Sequence, residues 1–208
     1  MHIETIDERT KRVLDKIKKS AMAESFYLAG GTALAVYLGH RTSIDLDFFS
    51  KKNFSTAELK NQLSKIGEVF LVGEAEGTLH VTFDHVKVSF LRYEYDLLFS
   101  PVAFDGIFLA DERDIAAMKL DAVSSRGSRK DFVDIHELLK KYSLAELIGF
   151  FEKKYSNIKY NVLHVLKSLV YFEDAENEPS PIMFRETNWE DVKSSIQKAV
   201  SELSANHN

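Results

Sequence analysis

Apolar residues recur at helical spacing through the first two dozen positions. Ile6, Val13, Leu14, Ile17 and Met22 stand among charges, and the pattern predicts an amphipathic helix over residues 5–24. The run SFYLAG (25–30) predicts a short buried strand that ends in glycines, and TALAVYLG (32–39), rich in helix formers and closed by Gly39, predicts a helix with a glycine stop. In SIDLDFFS (43–50) the residues Ile44, Leu46 and Phe48 alternate with Asp45, Asp47 and Phe49, the period of a strand. STAELKNQLSKIG (55–67) opens on Ser55 with a glutamate at capping-box distance and predicts a further helix. The stretch 69–95 is β-rich with turn signals at EAEG and DH, which predicts a meander or two hairpins. Within it Val86, Val88 and Phe90 face one way, and Lys87, Ser89 and Leu91 the other. Pro101 and the FDG at 104–106 mark a loop.

From residue 110 onward the period becomes almost wholly helical, with segments predicted at 111–124, 130–142, 144–155, 157–173 and 188–204. Residues 173–188 carry two of the chain's three prolines and predict a long surface loop. The organisation expected is an α/β domain over 1–110 followed by a helical domain over 111–208. No internal repeat or low-complexity tract is present.

Composition narrows the class without deciding it. The 208 residues are 45% hydrophobic and 28% charged, which suits a globular chain with one core or one core plus a helical appendage. A net charge of −5 and a pI near 5.8 argue against a protein that coats polyanions, although a local basic patch is compatible with them. Lys16, Lys18 and Lys19, with the KKYS and EKKYS runs, could form such a patch for RNA or could simply solvate helices. There is no cysteine, so neither a disulfide scaffold nor a thiolate metal site is available. The N-terminus is charged throughout and does not read as a signal peptide, and no apolar run approaches a membrane span. A cytoplasmic, non-membrane protein is the expectation. The seven histidines form no HxH or HExxH pair, and neither a GxSxG nor a P-loop occurs.

The chemistry concentrates between residues 28 and 50. Asp45 and Asp47, two apart on a strand, project from the same face, and neighbouring carboxylates repel unless a cation or donors compensate. A hard divalent ion such as Mg²⁺ prefers such oxygen ligands. The bland alternative is a solvent-facing strand edge where aspartates are tolerated. Gly30 and Gly31 at a strand-to-helix junction let backbone N–H groups approach a ligand, and the helix N-terminus that follows favours an anion. Thr32 can cap that helix and offer its hydroxyl to a phosphate. Taken alone, a GGT turn serves equally well as a tight turn.

The run AGGTAL…GHRTSIDLDFF resembles the nucleotidyltransferase family of AbiEii/AbiGii-type toxins, the toxin halves of type IV toxin–antitoxin systems. That family lies within the polymerase-β-like nucleotidyltransferases, whose pattern is hG[GS], a spacer, then Dx[DE]. DERDIAAMKLDAVSSRGSRKDFVDIHELL (111–139) is similar to the family's downstream block, so the resemblance spans about residues 22–142. It implies a polymerase-β-like α/β fold, a small mixed sheet with helices, and a C-terminal helical region that closes over the nucleotide. It also implies Mg²⁺-dependent (or Mn²⁺-dependent) transfer of a nucleoside monophosphate from an NTP to an acceptor hydroxyl, with an RNA or tRNA end favoured, and an antitoxin partner. On the resemblance Asp45 and Asp47 hold the metal, and Gly30, Gly31 and Thr32 cradle the phosphates. Arg41 and Ser43 support the site, and Lys119 contacts the triphosphate. Arg126 and Lys130 add positive charge, which Asp131 or Asp134 orients. The bland alternative for these last residues is a salt-bridged turn between two helices.

One position departs from the superfamily. A third carboxylate is expected on a neighbouring strand, and the place for it is taken by Ser89. This keeps open a degenerate module that binds NTP or an antitoxin without transfer; a transferase acting on a small molecule or a protein side chain is a separate alternative.

Overall fold

The alternation at 86–91 becomes the two faces of a sheet. The computed structural model describes residues 1–205, and the chain forms two compact units, Met1–Asp111 and the part from Glu112 onward. In the first unit the helices are α1 (Glu8–Lys18), α2 (Gly30–Leu38) and α3 (Thr56–Ser64). The strands are β1 (Tyr27–Ala29), β2 (Leu46–Ser50), β3 (Val69–Ala75), β4 (Thr78–Phe83), β5 (Val86–Arg92), β6 (Val102–Phe104) and β7 (Ile107–Leu109). They make one mixed sheet in the order β3-β4-β5-β2-β1-β7-β6. The meander β3-β4-β5 is antiparallel, β2 runs parallel to β5, and β1 is antiparallel to β2 and parallel to β7.

One face of this sheet is core. Leu28, Leu46, Phe48, Leu79, Val81, Phe83, Val88, Phe90 and Leu109 are buried, and so are Val13, Leu14 and Ile17 of the amphipathic α1. Phe48 stacks on Phe90, and Phe26 meets Phe90 edge-on. Each of these side chains, once buried, contributes roughly 1.5–3 kcal/mol relative to exposure.

Several boundaries differ from the sequence expectation for local reasons. The helix expected over 5–24 resolves into α1 between two 3₁₀ turns, Ile3–Thr5 and Ala21–Ser25. Asp7 caps α1 by accepting from the Thr10 amide at 2.7 Å, and the Ser20 hydroxyl donates to the Ile17 carbonyl at 2.6 Å where the helix stops. The loop expected around residues 104–106 is a hairpin instead. Phe104 pairs with Ile107, and Asp105 and Gly106 both have positive φ, the two-residue Asp-Gly turn that suits strand twist.

The second unit is helical: α4 (Glu112–Ser125), α5 (Arg129–Leu139), α6 (Leu144–Lys154), α7 (Val162–Leu169), α8 (Glu173–Glu176) and α9 (Trp189–Ala205). Its core draws Ile115 and Leu120 from α4, Phe132 and Ile135 from α5, Leu147 from α6, Leu169 from α7, and Val192 and Ile196 from α9. The helix expected over 157–173 is shortened, because Asn161 caps at its side chain and starts α7 only at Val162. The expected loop over 173–188 contains α8 and is tied down by Arg129. That residue donates to the Ala175 carbonyl at 3.0 Å and stacks its guanidinium over Trp189 at 4.7 Å. Among the described residues no helix is long and apolar enough to cross a membrane.

Candidate active site

The residues singled out between 30 and 47 come together in the first unit. Strand β1 ends at Ala29, and Gly30 turns the chain with φ +67°, a conformation that favours glycine. Helix α2 starts there, two residues earlier than the sequence pattern suggested, with Ala29 as an N-cap that offers no side-chain hydrogen bond. A Cβ placed on Gly30 would stand 2.9 Å from Oδ2 of Asp47, and one on Gly31 would stand 2.5 Å from Nη2 of Arg41. The two glycines therefore make room for a carboxylate and a guanidinium against the first turn of α2. Register explains the approach, since Ala29 of β1 lies opposite Asp47 of β2.

The segment before β2 is held on several sides. The Ser43 amide donates to the Thr5 carbonyl at 3.0 Å, and the Thr10 hydroxyl donates to the Ile44 carbonyl at 3.2 Å. Thr32 is fully buried; its hydroxyl lies 2.8 Å from Ser43 Oγ and bonds the Asp45 carbonyl. A hydroxyl has one proton, so Thr32 donates to the carbonyl and accepts from Ser43. Its side chain is a strut between α2 and the DxD segment. Arg41 is 3% exposed and donates from Nη1 to the Thr42 carbonyl at 3.2 Å. Asp45 lies just before β2 and Asp47 inside it, both half-buried. His40 is buried beside Arg41 in the chain.

Ser89 sits where a third carboxylate would be expected. It is the register partner of Asp47 across the parallel β2–β5 pair, on the face opposite the core. One strand further on, His80 is the partner of Ser89, and its Nδ1 lies 3.0 Å from Ser89 Oγ. The row Asp47, Ser89, His80 thus crosses three strands on one face. The sequence identified Ser89, but His80 required the β4–β5 register.

The other candidates belong to the second unit, where Lys119, Arg126, Asp131 and Asp134 form a network. Lys119 on α4, 4% exposed, lies 2.8 Å from Asp131 Oδ1 and 2.6 Å from Asp134 Oδ2 on α5. Arg126 Nε donates to Asp131 Oδ2 at 2.8 Å, and the Ser128 hydroxyl donates to the same oxygen at 2.6 Å. Burial alone would raise the Asp131 carboxyl, but Lys119 and Arg126 outweigh it and hold the group well below the usual carboxylate range. The Arg126 side chain is 60% exposed, and Lys130 is exposed. Ser128, which sequence reasoning passed over, precedes Asp131 by three residues, a spacing that could have suggested the contact. Lys154, read from the EKKYS run as a possible surface charge, is fully buried instead and donates to Asp114 Oδ1 at 2.7 Å. Its partner lies 40 residues away, beyond the reach of local pattern.

Among the described residues no group of three or more His, Cys, Asp or Glu side chains is arranged to hold a metal ion. That donor set still suits Mg²⁺, which is commonly held by one or two carboxylates together with water and substrate phosphates rather than by a protein cage.

Comparison with known proteins bears on the fold and the family. A family model described as nucleotidyl transferase AbiEii toxin, type IV TA system, matches residues 12–204. An uncharacterised protein of Aquifex aeolicus (strain VF5) is 38% identical over 207 residues, covering 97% of this chain and 98% of its own. Among solved structures, MenT4, a nucleotidyltransferase toxin of Mycobacterium tuberculosis H37Rv, superposes with a TM-score of 0.63 at 15% identity, over 94% of this chain and 82% of its own. JHP933 of Helicobacter pylori superposes with a TM-score of 0.57 at 16% identity, over 97% and 96%. The α/β nucleotidyltransferase fold expected from the sequence is the fold the chain adopts.

Proposed function

The chain belongs to the AbiEii nucleotidyltransferase toxin family of type IV toxin–antitoxin systems, and on that footing we propose that the cluster around Gly30, Gly31, Asp45 and Asp47 binds an NTP with Mg²⁺ and transfers its nucleoside monophosphate to an acceptor hydroxyl. The observation that carries this reading is the approach of Asp47 to the α2 N-terminus, with Oδ2 2.9 Å from where a Gly30 Cβ would stand. Such closeness sets a carboxylate beside a helix end that favours anions, an arrangement suited to a metal-bound triphosphate.

In this account the N–H groups of the first turn of α2 hold the β- and γ-phosphates, and Arg41 adds a fixed positive charge over Gly31. Thr32 and Ser43 keep the DxD segment in register with that turn. Asp45 and Asp47 hold Mg²⁺, or Mn²⁺ in its place, which when bound neutralises phosphate charge and favours displacement at the α-phosphorus. In the second unit, Arg126 and Lys130 serve the anionic substrates as exposed cations. Lys119, Asp131, Asp134 and Ser128 fix the turn that presents Arg126. A toxin needs an acceptor whose modification stops growth, and an RNA end, a tRNA end above all, meets that need. Type IV membership implies an antitoxin partner. An NTP substrate and a chain without cysteine support action in the cytoplasm.

A second reading has one observation in its favour. Ser89, not a carboxylate, stands beside Asp47 in the register, which would suit a module that binds NTP or the antitoxin without transferring anything.

Label transfer separates these readings. The purified chain is incubated with Mg²⁺, each α-labelled NTP in turn and total cellular RNA, beside Asp47→Asn. Label on RNA that disappears in the variant is the expected result. Label on the protein or on a small molecule would move the acceptor class, and no label with NTP binding intact would favour the binding module.

A further inference from the structure

Ser89 need not be a gap in the site. The face of the sheet that carries Asp47 continues along β5 and β4 as Lys87, Ser89 and Leu91, paired with Thr82, His80 and Thr78. None of these is a carboxylate, and imidazole is the side chain among them suited to take a proton near neutrality. It is also the group hydrogen-bonded to Ser89, at 3.0 Å. Opposite it on β3 is Gly73, where a Cβ would come no nearer than 3.8 Å to the ring, so the imidazole is not crowded from that side. Adjacent strands are about 4.8 Å apart, which puts Ser89 one strand from Asp47 and His80 two.

The geometry points to a proton relay, Ser89 to His80, that performs at this site the proton removal a third carboxylate would otherwise perform. The inference rests on the nucleotidyltransferase reading above. With Nδ1 unprotonated, the Ser89 hydroxyl donates to it. The acceptor hydroxyl, placed beside Asp47, gives its proton to Ser89 Oγ as the Ser89 proton passes to His80. The acceptor oxygen forms its bond to the α-phosphorus, the bond from that phosphorus to the β-bridging oxygen breaks, and pyrophosphate leaves with the electron pair. Ser89 ends as it began, and His80 holds the proton until solvent takes it. An ordinary cross-strand pair would show the same hydrogen bond, so the test must read more than loss.

The test uses the label-transfer assay on the full chain as wild type, His80→Gln, Ser89→Ala, Ser89→Asp and the double variant Ser89→Asp/His80→Gln, with thermal melting of each. The relay predicts that His80→Gln and Ser89→Ala each lower kcat by about 10²-fold or more. KM for the NTP should stay within about twofold, because nucleotide binding is left alone. Ser89→Asp should restore the His80→Gln background to within about tenfold of wild type, since a carboxylate beside Asp47 no longer needs the imidazole. His80→Gln at the wild-type rate would overturn the relay while Asp47→Asn still upheld the transferase. A His80→Gln loss that Ser89→Asp does not recover would mark a structural pair and overturn it too. Transfer by Ser89→Asp but not by wild type would show Ser89 to be a true loss. Failure of every form would remove the relay together with the transferase.

Discussion

Two clusters of charge in this chain are built on opposite logic. Around α2 and β2, small residues create space: glycines at 30 and 31 let Asp47 and Arg41 crowd a helix N-terminus, and two aspartates stand two residues apart. Around α4 and α5, charge is matched inside the fold: buried Lys119 meets Asp131 and Asp134, and a fully buried pair joins Lys154 to Asp114. The first arrangement gathers groups that a metal-bound triphosphate would join. The second pairs buried lysines with aspartates across helices of the second unit. Buried charge in the second unit is thus matched pair by pair, whereas in the first unit glycines open space beside a carboxylate and a guanidinium.

The sharpest way to break that contrast is to remove the cation from the helical network. Lys119→Met removes the buried cation that joins Asp131 to Asp134 and should destabilise the second unit by about 3–5 kcal/mol. Urea unfolding reads it, and a midpoint near wild type would mean the network is not structural. In the first unit the effect should fall on activity instead. Asp47→Asn should lower transfer by about 10²–10³-fold with a melting temperature close to wild type. A large fall in melting temperature would make Asp47 a structural residue. Gly30→Ala lies between the two. Its positive φ and the 2.9 Å approach to Asp47 Oδ2 should cost about 1–2 kcal/mol of stability, and NTP binding should weaken as the carboxylate is displaced.

The smallest expected effect is on the acid limb of stability. Asp131 has its folded pKa held below the unfolded value, so its contribution is complete above about pH 4 and fades as pH falls from there toward the folded value. Asp131→Asn should therefore flatten the stability–pH curve below about pH 4, besides lowering stability at neutral pH. An unchanged acid slope would show that other carboxylates govern it.

What the sequence disclosed follows the distance over which each feature is encoded. The glycine pair, the helix after it and the two aspartates lie within one short stretch, and each reports on backbone chemistry directly. Alternation at 86–91 was enough to place Ser89 on the face away from the core. His80 was not legible, because its meeting with Ser89 depends on strand register, which a local pattern does not fix. Lys154 sat in a run that looked like surface charge, and only the packing of α6 on α4 shows it buried with Asp114. Thr32 was legible as a residue but not as a strut, since its partners come from the segment after the helix. The Asp105-Gly106 hairpin did carry its signal, a two-residue turn that a reading for loops passed over.

On the proposed function a nucleotide and its metal bind together at the α2 N-terminus and the DxD segment. Calorimetric titration of the purified full chain with each NTP, with and without Mg²⁺, tests it most directly when repeated on Asp47→Asn. Saturable binding that requires Mg²⁺ and disappears in the variant is the expected result. Equal binding in both proteins, indifferent to Mg²⁺, would contradict it.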